Sequence, residues 1–114
     1  MANAFKNKAK TLSDDNLTSV FIAHTAGEAE TVIHSLTVCN TGTAGTITAD
    51  IVVVDVSPDP DESFYICKAA PVPEGSSLVF ADIKLNMESA DILKAKSSHA
   101  SGHLDVFASV LEIT

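Results

Sequence analysis

Polar and apolar residues alternate with a period of two along most of this chain, and that period belongs to half-buried β-strands rather than helices. From Leu17 onward the alternation recurs in blocks separated by turn residues. "LTSVFIA" (17–23) is a first predicted strand, followed by the polar loop "HTAGEAE" with Gly27 at its centre. "TVIHSLTVC" (31–39) is a second, placing Val32, His34, Leu36 and Val38 on one inward face. "NTGTAG" (40–45) has turn chemistry, since Gly42 and Gly45 can adopt positive φ. "TITADIVVVDV" (46–56) is a third strand. Ile47, Ala49, Ile51 and Val53 share one face, and Thr46, Thr48, Asp50, Val52 and Val54 share the other.

"SPDPDES" is a loop, because Pro58 and Pro60 cannot donate to a ladder and restrict the residues before them. "FYIC" (64–67) is a short strand. Pro71, Pro73 and Gly75 in "AAPVPEGSS" exclude regular pairing across the next connection. "LVFADIKLNM" (78–87) holds one strand, or two broken near Asp82, and "ESAD" turns the chain. "ILKAKSS" (92–98) carries Lys94 and Lys96 on its wet side. After "HASG" comes a final strand over 103–113, with Val106, Ala108 and Val110 opposed to Phe107, Ser109 and Leu111. Residues 1–16 lack this alternation of core and surface and are expected to form an extended N-terminal arm, leaving 17–114 as the folded domain. The expected fold is all-β: a single-domain β-sandwich of about seven to eight strands, jelly-roll or immunoglobulin-like.

Composition supports the same class. The chain has 114 residues, enough for one core, and Val, Ile and Thr make up about a quarter of them. In "IVVV" and "VFASVL" both strand faces are apolar, which a thin sandwich covers only with loops or with another subunit. That pattern favours oligomers. The net charge of −8 disfavours a nucleic-acid groove, which needs clustered cations, and an anionic membrane surface. Lys6, Lys8 and Lys10 form the nearest approach to a basic run and fit a solvated arm. No apolar stretch follows the N-terminal charges as in a secretory signal, and none is long enough to span a bilayer. The chain is therefore expected to stay in the cytoplasm where it is made or to leave by another route. Cys39 and Cys67 lack metal or redox spacing and fit small buried hydrophobes.

Candidate chemistry is sparse. His99 and His103 are four apart, but Gly102 and the flanking strands remove the helical face that would pair them on a metal, so both fit exposed loop positions. His34 fits a hydrogen-bonded core or interface group, and His24 opens a loop without a partner signature. Asp55, Asp59, Asp61 and Glu62 could in principle attract calcium, but Pro60 stands where an EF-hand loop needs Gly and no Glu closes it. No nucleophile elbow, phosphate loop or dinucleotide fingerprint is present. The expectation is a protein that is not an enzyme, with no catalytic, cofactor or metal site.

Several stretches carry a family pattern: "MANAFKN", "TVIHSLTVCNT", "APVPEGSSLVF", "IKLNMESADILKAKSS" and "VFASVLEIT", in that order. Together they resemble a family of small structural proteins of tailed bacteriophage virions, over nearly the whole chain. The resemblance implies a β-sandwich made in the bacterial cytoplasm and assembled into the particle. The role it favours is a capsid decoration or cement protein, trimeric or else dimeric, contacting the major capsid protein or other virion proteins. A neck, tail or fibre component is the alternative, and a calcium- or carbohydrate-binding β-sandwich module is a third. Pro71, Pro73 and Gly75 match the family's turn and imply a fold-determining role.

Overall fold

The computed structural model describes residues 3–23 and 30–113; the loop around His24 and Gly27 and the terminal Thr114 lie outside them. Among the described residues, nine strands form two antiparallel sheets: β1 (Asn3–Leu12), β2 (Thr18–Ile22), β3 (Glu30–Asn40), β4 (Ile47–Asp55), β5 (Glu62–Val72), β6 (Ser77–Phe80), β7 (Leu85–Glu88), β8 (Ile92–Ser97) and β9 (Leu104–Ile113). Sheet A has the order β1-β9-β3-β6, with β7 also paired to β3, and sheet B has the order β2-β8-β4-β5.

The pairings nest. β1 pairs β9, β2 pairs β8, β3 pairs β6 and β7, and β4 pairs β5, as in one long hairpin ribbon. The ribbon is then rolled so that β9 also meets β3 and β8 also meets β4. Successive strands mostly alternate between the sheets, and this is the double-sheet jelly roll. Of the two sandwich types expected from the sequence, the topology selects the jelly roll. β6 and β7 together occupy one strand position, split at Ala81–Lys84, where Asp82 and Lys84 take positive φ (55° and 50°).

The core lies between the sheets. Leu36, Val38, Leu104, Val106, Ala108 and Val110 face it from sheet A, and Ile47, Ala49, Ile51, Leu93 and Ala95 from sheet B, all at most 2% exposed. β9 alternates as its sequence predicts, and it is internal, flanked by β1 and β3 over its full length. On β4, Ile47, Ala49 and Ile51 are buried on the core face and Val53 packs against them.

Four local features depart from the sequence expectation. The segment expected as an arm is extended, but its residues 3–12 are a sheet strand in register with β9 from Asn3↔Ile113 to Leu12↔Leu104. Its lysines alternate because it is an edge strand: Lys6, Lys8 and Lys10 lie opposite Val110, Ala108 and Val106, and charge on an edge discourages uncontrolled strand pairing. On β3, the face expected to hold Val32, His34, Leu36 and Val38 changes over midway. A bulge between Ile33 and Ser35 turns Thr31 and Ile33 inward below it and Leu36 and Val38 inward above it, leaving Val32 and His34 outside.

The third departure is β5, which runs far beyond "FYIC" and through Pro71. Thr48, opposite Pro71, exchanges both its backbone groups with Ser98: its N–H donates to Ser98 Oγ (2.9 Å) and its carbonyl accepts from Ser98 N–H (3.0 Å). The position facing β5 therefore asks for no ladder bond, and proline is tolerated on this edge. Two register shifts bend β5, at Ala49/Ile51 and Ile51/Val52; Asp50 Oδ1 holds the first by accepting from Ala69 N–H at 2.7 Å. The fourth is Gly42, which is needed for closeness rather than φ, because a Cβ there would stand 3.0 Å from the His103 Cβ. Gly45 and Gly75 do take positive φ (96° and 69°). Gly75 fills the third position of the Pro73–Ser76 turn, closed by Ser76 N–H donating to the Pro73 carbonyl (3.0 Å).

Candidate functional site

The two sheets differ in what they turn outward. On sheet A, the outer residues of β1 are Phe5, Asn7, Ala9 and Thr11. They lie opposite Leu111, Ser109, Phe107 and Asp105 of β9, which in turn lie opposite Val32, Ser35, Thr37 and Cys39 of β3. Val79 of β6 extends the surface beyond Thr37. Charge enters only toward the ends of this face, at Asp105, where Thr11 Oγ1 donates to Asp105 Oδ1 (2.8 Å), and at Glu30 and Glu88. Phe5 is 76% exposed, Val79 58% and Phe107 46%. Large apolar groups held in water on a rigid sheet mark an interaction surface.

Within this face lies an open trough of about 480 Å³ lined by Phe5, Lys6, Asn7, Phe107, Ser109 and Val110. The cross-strand pair Asn7↔Ser109 is short and polar, while the two phenylalanines stand on either side of it. The bulge of β3 supplies one further group: the His34 ring packs against Phe5 with centroids 5.6 Å apart. Its Nε2 is buried without a hydrogen-bond partner among the described residues. The other side of β1 carries the lysines, and Lys8 Nζ lies 3.5 Å from Glu112 Oε2.

The remaining candidates from the sequence fall elsewhere. Asp55 meets Glu88 and Asp91, not the loop acids Asp59, Asp61 and Glu62, with carboxylate oxygens within 4.8 Å of one another. Each holds a turn: Asp91 accepts from Val56 N–H (3.2 Å) and Glu88 N–H (3.0 Å), Asp55 Oδ1 accepts from Ser57 N–H (3.0 Å) and Oγ (2.8 Å), and Ser57 Oγ also reaches Glu88. His99 and His103 come together without a helix. The tight loop between β8 and β9 sets their rings 4.6 Å apart, both half-buried, with His99 Nδ1 accepting from Ser101 N–H. Cys39 and Cys67 are half-buried and unbridged. The Cys67 thiol donates to the Ala49 carbonyl at 3.7 Å. Burial pushes its pKa up and the nearby Asp50 charge adds to this, against a backbone hydrogen bond at Ile51 that lowers it.

The sequence expectation missed Phe5 and Val79, whose place on the shared face depends on β1 and β6 joining sheet A. A signal for β1 was available in the period-two spacing of its lysines. Among the described residues, no helix is long and apolar enough to cross a membrane.

No family model and no curated protein matches the chain. Among solved structures, the fold is similar to a chain in the acidic stable capsid structure of Helicobacter pylori bacteriophage KHP30. That alignment has a TM-score of 0.49 and 8% identity, and covers 100% of this chain and 89% of that one. It is also similar to a chain of the T13 viral particle of infectious bursal disease virus (TM-score 0.43, 10% identity, 96% of this chain and 30% of that one). A third likeness is to the virus-like particle of the extra small virus of the giant freshwater prawn Macrobrachium rosenbergii (TM-score 0.41, 10% identity, 98% and 79%). At these identities the likeness is one of fold.

Proposed function

We propose that the protein is a structural component of a bacteriophage particle: a head-decoration protein that associates with its own copies, as trimers, and binds across the capsomers of the shell. The observation that carries this reading is the outer face of sheet A. In a small jelly roll whose own core is complete, an entire sheet face is left almost uncharged and holds Phe5, Val79 and Phe107 in water. Covering a few hundred Å² of such surface contributes on the order of 10 kcal/mol before association costs. Repetition over a symmetric shell makes even weak contacts durable. The sequence resemblance to virion proteins of tailed phages points the same way, and the net charge of −8 suits an abundant exterior protein that must stay soluble.

The test is location and stoichiometry in the particle. Added to shells that lack it, the purified protein is expected to bind in copy numbers on the order of hundreds, matching repeated symmetric sites. Density confined to the neck or tail, with about a dozen copies or fewer, would replace the shell assignment with a neck or tail one. Absence from the particle would end the virion reading.

A further inference from the structure

The chain has only six aromatic residues, five Phe and one Tyr, and a protein so poor in aromatics would ordinarily place them in its core. Here Phe21 is buried and Phe80 half-buried, while the other four are exposed. Those four fall into two groups of opposite charge. Phe5 and Phe107 flank the trough on sheet A, which Lys6 also lines. Lys8 and Lys10 continue the row along β1 at intervals of about 6.8 Å; Lys8 is engaged by Glu112, whereas Lys6 and Lys10 are exposed. Phe64 and Tyr65 end an unbroken exposed run, residues 59–65, that also holds Asp59, Asp61 and Glu62. Lys68 stands 5.1 Å over the Tyr65 ring, so the acids dominate only the loop side of this group.

The two groups cannot meet within one molecule. β1 lies over β2 on one flank of the sandwich and β5 lies beside β6 on the other. We propose that they are the two halves of one head-to-tail contact between copies of this chain. The trough of one copy receives the β4–β5 loop and the start of β5 of the next. A ring of Phe64 or Tyr65 fills the trough, and the β4–β5 loop passes round the free edge of β1, so that Asp59 and Asp61 face Lys6 and Lys10 on its other side. A trough of about 480 Å³ has room for an aromatic side chain. Two copies of net charge −8 repel in most orientations, and this one sets the acids of one against the lysine row of the other. A contact between two different patches closes into a ring when its rotation allows, which agrees with the trimer proposed above. The inference rests on the self-association part of that reading.

Sedimentation velocity on the purified chain tests it. Wild-type protein associates, and the association weakens as salt rises. Lys6→Glu with Lys10→Glu, and separately Asp59→Lys with Asp61→Lys, each weaken self-association by about tenfold or more. Their thermal melts stay at the wild-type position, because all four side chains are exposed. Mixing the two variants restores pairwise association between unlike copies, since each then offers the charge that the other requires, while a ring of three cannot close without one like-charged contact. A wild-type chain that stays monomeric, reversals that associate like wild type, or a mixture that stays apart would each overturn the contact. Shell binding is measured separately on the same proteins. Reversals that keep self-association and lose the shell assign the trough to the shell and overturn the contact. Failure of the wild type to bind shells defeats only the decoration reading.

Discussion

The outer faces of the two sheets are built from the same alternating strands and differ in where they place charge and exposed apolar groups. Sheet B turns Asp50, Lys94 and Lys96 outward, and its outward-facing valines are covered by the chain itself: Val52 is 1% exposed and Val54 7%. Their ladder neighbours, Lys94 and Tyr65 beside Val52, have long side chains whose apolar stems can lie along the sheet. Sheet A has no charged side chain at the middle of its face and leaves Phe5, Val79 and Phe107 in water. Among the described residues, sheet B leaves large apolar groups exposed on its edge strands, Ile22 on β2 and Phe64 and Tyr65 on β5, whereas sheet A exposes Phe107 on an internal strand between Phe5 and Val79; the partner proposed above would cover that continuous face. The edges differ in the same sense. β5 is bent by two register shifts, which spoil it as a template, whereas β1 is regular through ten paired residues and relies on lysines for protection.

β9, paired to β1 on one side and β3 on the other, is what makes sheet A a platform rather than a loose flap. Removing residues 107–114 deletes the partners of β1 from Asn3 to Ala9 and of β3 from Glu30 to Thr37, together with Ala108 and Val110 of the core. The expected outcome is complete loss of cooperative thermal unfolding by circular dichroism. A truncated chain that still melts cooperatively would show that sheet A hangs on a core that stands without it.

Adjacent residues of β9 then separate inside from outside. Val106→Asp sets an unpaired carboxylate in the core and is expected to cost about 4 kcal/mol or more, a large share of the ordinary stability of a domain. Phe107→Asp, one residue on, is expected to shift monomer stability by less than about 1 kcal/mol while weakening association sharply, because it charges the wall of the trough. Denaturant titration reads the first effect and sedimentation the second. Equal destabilisation by both would erase the distinction between the faces.

β4 and β9 were legible in the sequence because each keeps strict alternation along a regular ladder, so sidedness follows from parity alone. β3 was not, since one bulge near His34 reverses parity and no residue type announces a bulge. β5 was ended at Cys67, ahead of Pro71 and Pro73, because the rule against proline in strands holds for central positions, and nothing local marks a strand as an edge. β1 was misjudged for a related reason: lysines at every second position look like a solvated arm until β9 is known to run beside them. The choice of jelly roll over immunoglobulin-like sandwich, and the trough itself, depend on pairings such as Phe5 with Leu111, about a hundred residues apart along the chain. Local pattern carries no information on which strand will lie beside which.

The smallest effect probes how closed sheet B is. Cys67 lies on β5 opposite Ile51 and packs against the core cluster, and burial pushes its thiol pKa above the ordinary value of 9.0. As pH rises past that value the unfolded chain loses the thiol proton while the folded chain still holds it. The unfolded state then binds fewer protons, so stability falls with pH. The contribution is fully present below pH 9.0 and is lost as pH climbs through the raised folded value. Denaturation midpoints measured from neutral to alkaline pH should therefore drop more steeply for wild type than for Cys67→Ala, whose missing side chain lowers stability by a constant amount at every pH. The difference between the two curves isolates the thiol, because every other side chain is common to both proteins. Parallel curves would mean that water reaches the thiol in the folded chain, so that the bent edge of sheet B is less closed than its valines imply.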